Sequence, residues 1–192
     1  TPLLVACQNG HLGIASTLLA AGAAVNLART NDGFTPLLVA CQNGHLHIAS
    51  TLLSAGAAFN LARTDSGTTP LLAACQGGHV DIVSKLISAG ANVDQARNDG
   101  ATPLIMATNQ GRAEVVAALC SAGAVVNQVV NGWTPMRLAC CQGHIRCVQQ
   151  LSSFGATRVS NLQAQAAARG HDDIAAWLAT SRQWSTPLHH VS

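Results

Sequence analysis

The chain repeats itself, and that fact limits its fold more than any other. Thr-Pro-Leu-Leu opens at Thr1, Thr35 and Thr69, returns as Thr-Pro-Leu-Ile at Thr102, and as Thr-Pro-Met-Arg at Thr134. The intervals are 34, 34, 33 and 32 residues. A period of this size is one supersecondary unit, too small to enclose a core alone, so the units must stack. A degenerate copy starts at Asn161 and aligns through Ala166, Gly170 and His171, and another opens at Thr186-Pro187-Leu188-His189. The expected units are therefore 1–34, 35–68, 69–101, 102–133, 134–160, a degenerate 161–185 and the start of a cut-off copy, 186–192.

Residues 35–68 show how one unit folds. Thr35 is a good helix N-cap and Pro36 suits the first helical turn, where its missing N–H does no harm. Leu37, Ala40 and Cys41 then share one face at helical spacing. Gly44 breaks that helix before a second apolar pattern, Leu46, Ile48, Ala49, Leu52 and Leu53. Gly56 stands where the second helix needs a left-handed C-terminal residue, and the polar run Asn60 to Gly67 makes an extended excursion before the next Thr-Pro. Small residues such as Ala40 and Cys41 let first helices of neighbouring units approach closely, while the Leu-rich second helices fill behind them.

TPLLVACQNGH followed by HIASTLLSAGAAFN and a glycine-bearing loop resembles the ankyrin repeat, strongly over residues 1–156 and weakly over 161–180. The resemblance implies an all-α solenoid of stacked helix-turn-helix units, curved, with β-hairpin-like loops projecting at right angles. It also implies partner contact through the loop tips and concave face. The family usually carries His after Thr-Pro-Leu; here Leu4, Leu38, Leu72, Ile105 and Arg137 occupy that place, and only His189 restores it. After Ala156 only four residues precede Asn161, too few for a projecting loop, so an irregular join is expected between residues 157 and 185.

Composition removes several functional classes. Ten Lys and Arg against eight Asp and Glu give no sustained basic surface, and 3% aromatics leave few stacking platforms, so nucleic acid is not an expected partner. No apolar stretch approaches the ~20 residues of a membrane span. Cysteines number seven and recur at one internal position, which a disulfide framework does not require. With no signal-peptide pattern in Thr1-Pro2-Leu3-Leu4, an intracellular, cytoplasmic setting is expected. Low charge and interrupted terminal copies predict self-association of the chain as given, and are compatible with a targeting or spacer module of a larger enzyme, channel or degradation adaptor.

Cys7/His11, Cys41/His45, Cys75/His79 and Cys140/His144 share one spacing, which suggests nucleophile with base or a metal pair. Their presence in nearly every copy instead fits buried Cys and structural turn His, since catalysis needs one positioned pair. Cys140, Cys141, His144 and Cys147 offer four soft ligands, but Cys140 and Cys147 fall on core positions. No phosphate-binding loop or metalloprotease motif is present and Glu114 is the single glutamate, so no enzyme and no cofactor are expected.

What remains is surface. Copies one and two differ at six of 34 positions, three of them at the loop tip: Asn31/Asp65, Asp32/Ser66 and Phe34/Thr68. Arg29, Arg63 and Arg97 recur at successive tips, either as a row of cations for an acidic partner segment or each paired within its own hairpin. Gln8, Gln42, Gln76 and Asn109 form an amide ladder at the ends of the first helices, suited to an extended peptide backbone. Trp133 takes the place of Phe34, either as an exposed anchor or packed on a neighbouring loop. The proposed partner-binding set is thus Arg29, Asn31, Asp32, Phe34, Arg63, Asp65, Arg97, Asp99 and Trp133 over the amide floor, serving non-catalytic recognition of a protein or peptide. Trp177, within Ile174, Trp177 and Leu178, is expected in the core.

Overall fold

A computed structural model describes residues 1–158 and 161–181, so the copy expected from Thr186, with His189, lies outside the described residues. These form twelve helices and no strand. The first helices of the units are α1 (Pro2–Gln8), α3 (Pro36–Gln42), α5 (Pro70–Gly77), α7 (Pro103–Asn109), α9 (Pro135–Gln142) and α11 (Leu162–Ala167). The second helices are α2 (Leu12–Ala20), α4 (Leu46–Ser54), α6 (Val80–Ser88), α8 (Ala113–Ser121), α10 (Ile145–Ser153) and α12 (Asp172–Thr180). First helices pack on first helices and second on second, in unbroken order from α1 to α12.

The Thr-Pro signal does what its chemistry allows. Thr35, Thr69, Thr102 and Thr134 accept a hydrogen bond at Oγ1 from the backbone N–H three residues on, at 3.2, 3.2, 3.3 and 3.2 Å. Each such cap is worth about 1 kcal/mol. At the other end of the unit Ala57 N donates to Leu52 O and Gly56 N to Leu53 O, the Schellman pattern, with Gly56 left-handed at φ 84°.

The core is a set of columns. Cys7, Cys41, Cys75 and Cys140 are fully buried, as are Ala40, Ala74, Ala107 and Ala139 on the first helices. Ile48, Leu52, Ile82, Leu86, Leu119 and Leu151 fill behind them. In the first four units the place where the family usually carries His is apolar core, with Leu38 and Leu72 each 1% exposed.

Turn histidines bind unit to unit. His45, His79, His144 and His171 reach back to the carbonyls of Gln8, Gln42, Asn109 and Cys141, at 3.2 to 3.3 Å. Gly44 shows why glycine precedes His: a Cβ there would lie 2.6 Å from the His79 ring, and its φ is +78°. A second ladder runs along the outer edge, where Asn26, Asn60, Asp94 and Asn127 accept from Ala58, Asn92, Val125 and Thr157 backbone N–H at 2.8, 3.1, 3.0 and 2.7 Å.

Within the expected irregular join, the described helices continue the stack. α11 has six residues and Asn161 makes no side-chain cap, yet α11 packs on α9 and α12 on α10. Arg158 braces this end, donating to Ser152 Oγ and to Ser181 Oγ and lying 4.9 Å over the Trp177 ring. Trp177 is partly buried against the core, as its helical pattern predicts.

Candidate partner-binding groove

Four fingers project between successive units, and their hydrogen bonds explain the shrinking repeat interval. Arg29 N donates to Phe34 O across Thr30–Gly33, Arg63 N to Thr68 O across Thr64–Gly67, Arg97 N to Ala101 O across Asn98–Gly100, and Val130 N to Trp133 O across Asn131–Gly132. The tip loops contain four, four, three and two residues, so the 34, 34, 33 and 32 intervals are trimmed at the tip and nowhere else. The two-residue loop is Asn-Gly with φ 50° and 79°, the mirror-image turn that tight hairpins favour.

The first three fingers are tied together. Thr64 N donates to Asp32 O at 3.2 Å, and Asn98 N donates to Ser66 O at 3.0 Å. Asn98 Nδ2 adds a bond to Asp65 O at 3.3 Å. Backbone groups thus supply the ties between these loops, with Asn98 Nδ2 adding to them.

Tip arginines pair within their own hairpins, but not equally. Asp32, three residues after Arg29, receives both Nε (2.9 Å) and Nη2, a two-pronged pair. Those bonds from Arg29 hold the Asp32 carboxyl below the usual carboxylate range. Asp65 and Asp99 come only two residues after their arginines, and each is met by Nη2 alone, at 3.0 Å in the third finger. Burial works against ionisation of Asp65, yet hydrogen bonds from Ser66 and Arg63 outweigh it and leave its carboxyl lowered. The Nε–H groups of Arg63 and Arg97 are buried and have no partner among the described residues.

Aromatic residues close the two ends. Phe34 is half-buried with Arg29 and Arg63 over its ring at 4.8 and 4.1 Å. Trp133 is likewise half-buried, under Arg137 at 4.5 Å, whose Nη1 donates to Gly132 O and whose Nε donates to Gln165. Both contacts have cation–π geometry. Trp133 thus carries the guanidinium of Arg137, from the helix that follows it, on its ring face, a contact named by neither expected setting, a bare anchor or packing on a neighbouring loop.

Between those ends lies a cleft of about 290 Å³ lined by Gln42, Arg63, Ser66, Thr68, Ala73, Gln76 and Arg97. Two amides of the expected floor and two of the expected arginines therefore meet in one place. Gln8 and Asn109 are exposed on the same ladder but outside this cleft, as are Arg29, Asn31, Asp65 and Asp99 at the tips, and the half-buried Asp32 also lies outside it. Of the other lining residues, Ser66 and Thr68 are variable tip positions in the sequence but not members of the expected binding set, and Ala73 was missed. The signal was present: Ala73 stands where other units carry Val5, Val39, Met106 and Leu138, and the finger bases Thr68 and Ala101 are small where Phe34 and Trp133 are large.

The cysteines of the Cys/His pairs are all buried, which works against thiolate formation. Burial pushes the thiols of Cys7, Cys120 and Cys147 up to about 11 and that of Cys140 to about 12, and those of Cys41 and Cys75 further still. Among the described residues no three His, Cys, Asp or Glu side chains gather as a metal site would require. No helix among them is long and apolar enough to cross a membrane.

The family model for "Ankyrin repeats (3 copies)" matches residues 1–63 and again 58–130, and that for a single "Ankyrin repeat" matches 131–163. No curated protein matches the chain. Ankyrin repeats are generally protein–protein interaction modules and are typically non-catalytic. With paired helices, capped Thr-Pro starts and hairpin fingers continuous through the matched span, the chain belongs to the ankyrin-repeat family.

Proposed function

We propose that this array is a non-catalytic recognition scaffold that binds a protein or peptide segment along the angle between its fingers and its first helices. The cleft joining Gln42 and Gln76 to Arg63 and Arg97 carries the proposal. Its walls belong to fingers tied by backbone hydrogen bonds, so they are ordered before contact and little conformational entropy is lost on docking. Exposed amides supply both donors and acceptors to an extended backbone. A standard interface of roughly 1,200–2,000 Å² exceeds one cleft and would extend over neighbouring tips, Asn31 and Trp133 included. The buried, strongly protonated thiols favour this reading over cysteine chemistry.

The test is affinity capture by the intact array beside a variant carrying Gln42→Ala, Gln76→Ala, Arg63→Ala and Arg97→Ala, with circular dichroism confirming equal helix content. Proteins held by the first and lost by the second are expected. Equal retention of the same proteins by both would place recognition elsewhere.

A further inference from the structure

We infer that the cleft between the second and third fingers is a carboxylate pocket that receives an acidic side chain of the bound segment. This rests on the scaffold reading above and gives it a chemistry. The register of aspartate behind arginine carries the inference. In the first finger Asp32 lies at i+3 and occupies Nε and Nη2 of Arg29 together, leaving that edge of the fork saturated. In the second and third fingers the carboxylate lies at i+2 and reaches Nη2 only. Both Nε–H donors are then left buried and unpartnered, on arginines that line the same cleft.

An unpaired buried donor on a charged group is costly to leave and strongly favours an anionic acceptor, because charge-assisted bonds are roughly twice as strong as neutral ones. The lining holds two guanidinium groups and no carboxylate, while Asp65 and Asp99 stand outside it at the exposed tips. Ser66 Oγ and Thr68 Oγ1 are bonded to each other at 2.9 Å, so the hydroxyls do not compete for the arginines. The volume, about 290 Å³, lies at the low end of ligand pockets and suits one or two side chains. Asn98, bonded to Ser66 O and Asp65 O, fixes the two walls against each other.

The experiment selects linear peptides from a displayed random library on the intact 192-residue chain, then measures synthetic versions by titration calorimetry. Selected peptides are expected to share an Asp or Glu whose change to the amide weakens binding at least tenfold. The same loss is expected for the variant Asp65→Asn with Ser66→Asp, which rebuilds the first finger's register in the second, closes the Arg63 fork and leaves net charge unchanged. Arg146→Ala, which removes a charge from the exposed pair with Glu114 on the second helices, is expected to change affinity less than twofold. Peptides that bind but are indifferent to the amide change, or to the register variant, would overturn the carboxylate pocket while leaving the scaffold standing. A chain that selects no peptide would overturn the carboxylate pocket, and the scaffold reading then stands or falls by the affinity capture above.

Discussion

Thr108 interrupts the cysteine column. It stands where Cys7, Cys41, Cys75 and Cys140 stand in other units, it is completely buried, and its Oγ1 has no hydrogen-bond partner among the described residues. A hydroxyl buried without a partner costs about 1–3 kcal/mol by the measure of protein substitutions. Thr108→Val keeps the branched shape and the helix propensity, removes the stranded hydroxyl, and adds an apolar carbon worth roughly 0.8 kcal/mol. Stabilisation of about 2 kcal/mol is expected, or about 4–8 °C in melting temperature for a chain of this size. Thr108→Ala also removes the hydroxyl but loses the methyl, so it should lie near the parent. Thr108→Ser keeps the hydroxyl and loses the methyl, and should fall about 1 kcal/mol below it. Thermal melts by circular dichroism check the order, and slower amide exchange in α7 (Pro103–Asn109) places the gain locally, since repeat stability is a sum of unit and neighbour terms. A valine variant less stable than the parent would mean that the hydroxyl is satisfied, and would refute the reasoning.

Three further outcomes follow from the same columns and joins. Thiols raised in the fold release protons later than in the unfolded chain, so stability should hold below about pH 9 and fall as pH climbs toward 11; denaturant melts at pH 8 and pH 10.5 check this, a Cys7→Ser, Cys120→Ser, Cys147→Ser chain losing part of the slope. Arg158→Ala removes the brace on Ser152, Ser181 and Trp177, and amide exchange should accelerate about tenfold in α12 (Asp172–Thr180) while α3 to α8 stay protected. Val5 and Ile14 are 53% and 55% exposed, whereas their counterparts Val39 and Ile48, covered by the first unit, are 5% and 2% exposed. Sedimentation should therefore show concentration-dependent association of this chain, reduced by Val5→Asp with Ile14→Asp.

Most of the fold was legible because it depends on local chemistry that recurs. Thr-Pro caps, glycine after the second helix and Leu, Ile and Cys at helical spacing each dictate structure within a few residues, and the array follows from repetition. The site was legible only in its ingredients. Arg63, Arg97, Gln42 and Gln76 can be picked out as recurring polar residues, but their meeting in one cleft depends on how far each finger leans over the neighbouring helix. Trp133 was open between two settings because its partner, Arg137, is one residue type at a position that elsewhere holds Leu or Ile. The bracing role of Arg158 depends on Ser181 and Trp177, far along the chain and in a unit whose own signals are weak.

The shift in aspartate register shows how recognition can change on a scaffold that hardly changes at all. Copies one and two are identical at 28 of 34 positions, and each of their two fingers carries one arginine and one aspartate. Net charge therefore cannot distinguish their tips. Position can, because a guanidinium presents its donors along fixed edges, and a carboxylate one residue nearer in sequence reaches Nη2 without Nε. The first finger is internally closed, with Arg29 held by Asp32 and stacked on Phe34. In the second, Arg63 also stacks on Phe34 and lines the cleft, but its Nε is buried and unpaired among the described residues. The third reaches the same state by another route, deleting a tip residue so that one aspartate both caps Ala101 N and pairs with Arg97. Two unlike edits converging on one free donor, in adjacent fingers tied by Asn98, make the cleft a property of the pair of units and of neither alone.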